Sequence, residues 1–146
     1  MARTFNSISA FVAYMNGRIA TLPEAQKHGL EKAAAHIEEK AKAVIGGYDY
    51  GWPQLADRTQ ADRVNKGFSP NDPLLRTGGL RESIQHKVVD HAHAAVGSDD
   101  DKAVWNELGT DKAPPRSFLG ETGARHGKEA AHLIGEAVHA HLAGRG

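Results

Sequence analysis

The sequence predicts an α+β fold: long N-terminal and C-terminal helices packed on a small, mainly antiparallel sheet, with a long mobile loop. Three observations carry this. Apolar residues recur at helical spacing toward both ends of the chain, over 21–45 and 121–142. Two short segments in the middle, 85–89 and 92–96, have the length and the turn-forming flanks of strands. Between them and the first long helix, residues 46–73 lose all periodicity and become rich in Gly, Pro, Asp and Asn. At 146 residues, a single domain spanning 1–146 is expected.

The elements follow in order. Phe5, Ile8, Phe11, Val12 and Met15 form a helical stripe, with Asn6 or Ser7 to cap it and Asn16-Gly17 to end it. Thr21-Leu22-Pro23-Glu24 then combines a capping threonine, a first-turn proline and a glutamate three residues after the cap. The helix it opens places Leu30, Ala33, Ala34, Ile37, Ala41 and Val44 on one face, and Gly46-Gly47 stops it. In the excursion 46–73, residues 59–66 can form a helical turn. Thr77 caps a short helix through Ile84. Asp90-His91 turns the hairpin, and 97–101 is a polar turn. Residues 102–108 form a short helix that carries Trp105 and ends at Gly109. A proline-stiffened loop, 112–117, leads into the last helix. Its inner face is Ala130, Leu133, Ile134, Ala137, Val138 and Leu142, and Gly123, Gly127 and Gly135 weaken its intrinsic propensity.

Composition excludes several functions. Eighteen basic residues balance eighteen acidic ones, so the chain lacks the overall basic footprint of a generic nucleic-acid binder. There is no cysteine, which removes disulfides, zinc-thiolate sites and thiol nucleophiles. No apolar run is long enough to span a membrane. The first residues lack the pattern of a secretory leader, so a soluble intracellular product is expected. Apolar content is 40%, but much of it is alanine and aromatics are only 6%, which predicts a thin core.

Few residues suggest chemistry. His91-Ala92-His93 on a strand would place two imidazoles on one face for one metal ion, though no third ligand is identifiable. His132 and His139 share a face of the last helix and read as its polar flank, and His28 and His36 read as surface or boundary residues. Asp99-Asp100-Asp101 lacks the alternating ligands and distal glutamate of a calcium loop. Ser83 or Ser98 could be imagined in a triad, but no nucleophile elbow is present. No catalytic, metal or cofactor site is therefore expected. Trp52, Trp105 and Phe118 are the largest apolar side chains outside the terminal helices; core packing is their ordinary role. Trp52, in the loose segment, is the best interface anchor, with Arg76, Arg81 and Arg116 as intersubunit partners. The interface set expected from sequence is thus Trp52, Arg76, Arg81, Trp105, Arg116 and Phe118.

One block is more telling than the rest: Leu74-Leu75-Arg76-Thr77-Gly78-Gly79-Leu80-Arg81-Glu82-Ser83-Ile84. It follows a long helix and a Trp52-Pro53-x-Leu55 segment with Thr59 and Lys66. Val96-Gly97-Ser98, then Trp105 before Leu108-Gly109-Thr110, then Pro115-Arg116-Ser117-Phe118-Leu119 come after it. In this order and spacing, over residues 21–142, the chain resembles the neck or tail-completion proteins of tailed bacteriophages. Ser117 departs from the commoner Pro-x-Arg-Pro-Phe, and Ala103-Val104-Trp105 from the usual Tyr-Ala. The resemblance implies a non-enzymatic virion protein without a cofactor, made in the host cytoplasm and placed at the head–tail junction. Its implied partners are copies of itself in a ring of six, the neighbouring head-completion or connector proteins, and tail-tube or terminator proteins. It implies no membrane and no sequence-specific nucleic acid, though DNA would pass through the ring. Segment 46–73 would order against a neighbour, with Trp52 as anchor. The alternatives are a tail-terminator ring, a small metal-dependent hydrolase using His91 and His93, and a regulatory DNA-binding module, which neutral charge disfavours.

Overall fold

The computed structural model describes residues 2–145. Along the chain run α1 (Ile8–Ala20), α2 (Leu22–Val44), α3 (Asp57–Asn65), α4 (Gly79–Ser83), β1 (Ile84–Val88), β2 (Ala94–Ser98), α5 (Asp101–Leu108) and α6 (Leu119–Leu142). The α+β class read from the sequence is the observed one, with long helices toward both ends and one antiparallel hairpin between them.

α2 is the platform for the other elements. Of its expected apolar face, Ala33, Ala34, Ala41 and Val44 are buried, while Leu30 and Ile37 are half-buried. α6 packs along α2, and the hairpin also lies against α2. The expected inner face of α6, from Ala130 to Leu142, is half-buried throughout. Small residues let the two helices approach closely. A Cβ placed on Gly29 would lie 3.0 Å from the Cα of Ile134 and 3.1 Å from the Cβ of Ala137. Glycine costs a helix interior about 1 kcal/mol relative to alanine, and close packing is what this one allows.

The hairpin pairs Ile84 with Ser98 and Val88 with Ala94. β1 starts one residue earlier than expected and β2 two residues later. Val89 N donates to His93 O at 2.9 Å and closes the turn. His91 and His93 therefore sit in the turn rather than on a strand, and the alternation that would have aligned them is absent. On β1, His86 reaches across to α2, with Nε2 2.6 Å from Glu31 Oε1 and Nδ1 against Glu38. Hydrogen bonds to Glu31 and then Glu38 raise its pKa above the ordinary value, more than partial burial lowers it.

The central cluster is Ala41, Val44, Ile45, Leu80, Ile84, Ala103 and Phe118. Two of the seven are alanine, so the larger members carry most of the buried area. Phe118 is 0% exposed and is the largest fully buried side chain among the described residues.

Several local expectations are corrected. α1 continues through Asn16-Gly17 to Ala20, with Ser7 Oγ accepting from Ala10 N at 3.1 Å as its cap. Thr21 closes that helix, its Oγ1 donating to Gly17 O at 3.2 Å, so its side chain is not free to cap α2. None of α1 is buried; Phe5 and Met15 are half-buried, and Ile8, Phe11 and Val12 are exposed. Segment 46–73 is not structureless. It contains all of α3, longer than the single turn expected, and its ends meet where Gly46 N donates to Pro73 O at 2.8 Å. Tyr50 and Trp52 stack edge to face at 5.8 Å and pack against the central cluster. Of the three consecutive aspartates, Asp100 caps α5 by accepting from Lys102 N at 2.9 Å. Gly109 ends α5 at φ 78°, where a Cβ would lie 2.8 Å from Pro115 N.

Truncating Phe118→Ala should cost about 3–5 kcal/mol of unfolding free energy, because it removes the largest fully buried side chain from a thin cluster. Val104→Ala, on an exposed face, should change it by about 0.5 kcal/mol or less. Urea unfolding followed by circular dichroism measures both.

Candidate interaction site

The block that stood out in the sequence forms a tight, strained corner. Leu74 has φ 62°, the single positive φ outside glycine among the described residues. For a leucine this conformation costs about 1–2 kcal/mol. Two features offset it. Leu74 and Leu75 pack against the central cluster, and the carbonyl of Leu75 accepts from Arg63 Nη1 at 2.7 Å.

Arg63 is one of three arginines that hold backbone carbonyls. It also donates to Ser69 O at 3.3 Å. Arg116 Nη2 donates to Pro53 O at 3.0 Å, and Arg81 Nη2 donates to Ile45 O. These bonds pin the excursion and the 74–80 corner to the core. Their acceptors are neutral, so these bonds themselves do not compensate the charges, and among the described residues the Nε of each arginine is buried with no partner.

Arg63 and Arg116 also line a cavity of about 250 Å³ together with Arg76, Lys102, Asn106 and the turn from Thr77 to Leu80. No aspartate or glutamate lines it. Asp62 lies outside, 3.3 Å from Arg76 and 2.9 Å from Lys66. Burial, followed by repulsion from Arg76, draws the Arg63 guanidinium below its ordinary pKa, although an arginine stays charged at any physiological pH.

Glu107, not among the residues expected at a site, organises the other side of this region. Its Oε2 accepts from Phe118 N at 2.9 Å and Leu119 N at 3.0 Å; its Oε1 accepts from Gly120 N at 2.8 Å and Ser117 Oγ at 2.6 Å. Phe118 precedes α6 and has no capping side chain of its own. Glu107 supplies the cap from α5, satisfying amides at the start of α6 that the helix leaves free. Burial raises its pKa, but the hydrogen bonds from Ser117, Leu119, Gly120 and Phe118 outweigh it and hold the carboxyl below its ordinary value.

The six residues expected at an interface divide sharply. Phe118 is in the core and Arg116 is 6% exposed, so neither offers a free surface. They flank the sharp entry to α6, where an apolar side chain turns inward and an arginine secures the loop. Trp52 is half-buried on the central cluster, and Arg81 is engaged with Ile45 O. Arg76 and Trp105 are exposed. Arg76 lies over the Phe68 ring, 5.4 Å from its centroid. Trp105 is 55% exposed and Leu108 74%, and with Val104 they make an apolar outer face on α5. Ile8, Phe11, Val12 and Ile19 expose a second such face on α1.

The other chemical candidates are placed as follows. His93 Nδ1 lies 2.8 Å from Asp90 Oδ1 within the turn, and the described residues bring no third ligand to His91 and His93. Ser83 Oγ and Ser98 Oγ are hydrogen-bonded to each other at 2.6 Å, and neither meets a histidine among the described residues. His132 pairs with Glu136 at 3.1 Å on the same helix. His36 of α2 meets His126 and Glu129 of α6, with candidate ligand atoms all within 4.8 Å; this is the one such three-residue group among the described residues. The His126/Glu129 spacing was visible in the sequence, but His36 joins them only through the register of α2 against α6.

No family model, curated protein or solved structure matches the chain. No helix among the described residues is long and apolar enough to cross a membrane.

Glu107→Gln keeps the shape of the cap but removes its charge, and should cost about 1–3 kcal/mol at pH 7. The folded pKa is depressed, so the carboxylate's contribution is complete above the unfolded value, about 4.3, and fades as pH falls through the folded value. The loss of stability in the wild type below about pH 4.5 should therefore be shallower in the variant, as measured by urea midpoints across pH.

Proposed function

We propose that the chain is a structural subunit of a tailed phage or phage-like particle, assembling with copies of itself into a ring at the head–tail junction. The order of motifs from the 74–84 block to Pro115-Arg116-Ser117-Phe118-Leu119 first suggests it. The observation that carries it is the pair of apolar faces left open on α1 and α5, with Ile8 83% and Leu108 74% exposed in a chain whose own core is thin. Exposed large apolar groups that recur on one helix face mark sites that a partner covers. Two different faces on one subunit suit a head-to-tail contact, and such contacts close into a ring when the rotation per subunit fits. Six copies, with head-completion or connector proteins on one side and tail-tube or terminator proteins on the other, are the arrangement proposed.

In this reading Trp105 is the anchor on α5. The excursion 46–73 contributes through α3 and Phe68 rather than through Trp52, which the core already engages. A neck or completion role needs no catalytic group and no cofactor.

Particles produced without this protein should appear in electron micrographs as DNA-filled heads beside complete, unattached tails. Tails of uncontrolled length would instead indicate a terminator. Normally joined particles would reject the proposal. Trp105→Glu should reproduce the joining defect while leaving the unfolding free energy of the isolated subunit within about 0.5 kcal/mol of wild type.

A further inference from the structure

We propose that the cavity between α3, the 74–80 corner and α5 is a binding site for an oxyanion, a phosphate or carboxylate group held by Arg63, Arg76, Lys102 and Arg116. The proposal stands on the charge and construction of the cavity and does not depend on the assembly role.

Four cationic side chains line one space of about 250 Å³, and no acidic side chain does. Two of the four are built into the protein: Arg63 and Arg116 are each 6% exposed, fixed by neutral carbonyls at 2.7 Å and 3.0 Å, and each has an Nε with no partner among the described residues. A buried guanidinium without an anion is costly, and several together repel. Asp72 attracts Arg63 and Asp62 holds Arg76, but neither lines the cavity. An anion entering the space would lie among four cationic residues. Planar guanidinium forks match the paired oxygens of carboxylate and phosphate, which is what selects this class of ligand over a halide. Asn106 adds a neutral polar side chain, its Nδ2 turned to Lys102 O at 2.7 Å. The volume lies below the roughly 300–1,000 Å³ of pockets for drug-sized ligands, so the occupant is a single anionic group or a very small anion.

Two sources offer that group: a free oxyanion, or an acidic side chain of a second copy of this chain. Titration calorimetry of the full chain with inorganic phosphate, at ionic strength held constant with chloride, tests the site itself. Saturable binding is expected. Arg76→Gln with Lys102→Gln should weaken it by about tenfold for each charge-assisted bond lost. Both residues are exposed, so folding should survive, and an unchanged thermal midpoint without phosphate checks this. Lys27→Gln with Lys87→Gln, which removes equal charge elsewhere, should leave phosphate affinity unchanged. No saturable binding, or equal weakening by the two double variants, would overturn the proposal. Sedimentation of the same samples separates the sources. If phosphate and the Arg76/Lys102 variant both reduce self-association, the occupant is a neighbour's carboxylate; if saturable binding leaves association unaltered, it is a free oxyanion.

Discussion

The close approach of α6 to α2 at Gly29 sets the geometry on which the other elements depend. With the backbone of Ile134 almost in contact with Gly29, α6 lies low along α2, and its start falls beside the central cluster. Phe118, one residue before α6, can then turn inward into the cluster that holds Val44, Leu80 and Ile84. A larger residue at position 29 would lift α6 and with it the aromatic ring that fills the core. The alanines of α2 serve the same end. They contribute little apolar area themselves, but they leave room for elements packed from two sides.

Because that core is thin, polar bonds to the main chain do much of the fastening. Glu107 closes the start of α6 from α5, and Arg63, Arg81 and Arg116 close the long excursion onto the core through carbonyls. These bonds add to the apolar contacts that Tyr50, Trp52, Leu74 and Leu75 make with the core. The same dependence makes the structure sensitive to acid at Glu107, where the charged form is the one that accepts from the amides. His86 behaves in the opposite sense. Its raised pKa means that its bonding to Glu31 and Glu38 is complete below the unfolded value, about 6.5, and is lost as pH rises through the folded one.

Much of this fold was legible because it rests on local patterns. The 3.6-residue stripe of α2, the inner face of α6 and the glycine stops at 46 and 109 each depend on neighbours a few residues away. The hairpin was found with its register shifted, since strands rich in alanine and histidine give weak alternation; that shift is what moved His91 and His93 off a common face. The site was far less legible. Glu107 and Phe118 are eleven residues apart, and nothing in that spacing announces a cap. Arg116 reads as an exposed charge until the carbonyl of Pro53 is placed beside it. The balanced totals of acidic and basic residues also concealed that four cations converge where no carboxylate does.

That convergence bears on the strained corner next to it. Leu74 in a left-handed conformation, buried guanidiniums bonded to neutral carbonyls and Nε atoms unpartnered among the described residues all raise the free energy of one small region. The packing of Leu74 and Leu75 and the bond from Arg63 to Leu75 O hold it in place. Part of this cost is electrostatic, and apolar packing does not neutralise it. A ligand that binds only the folded chain stabilises it in proportion to how tightly it binds. An anion in this cavity would therefore act on the region that bears these costs. Its charge would relieve the repulsion of Arg63 by Arg76 and Arg116, while the corner that shapes the cavity is already formed. Preorganisation of this kind makes the 74–80 segment a receptor whose ordering cost has been met within the fold.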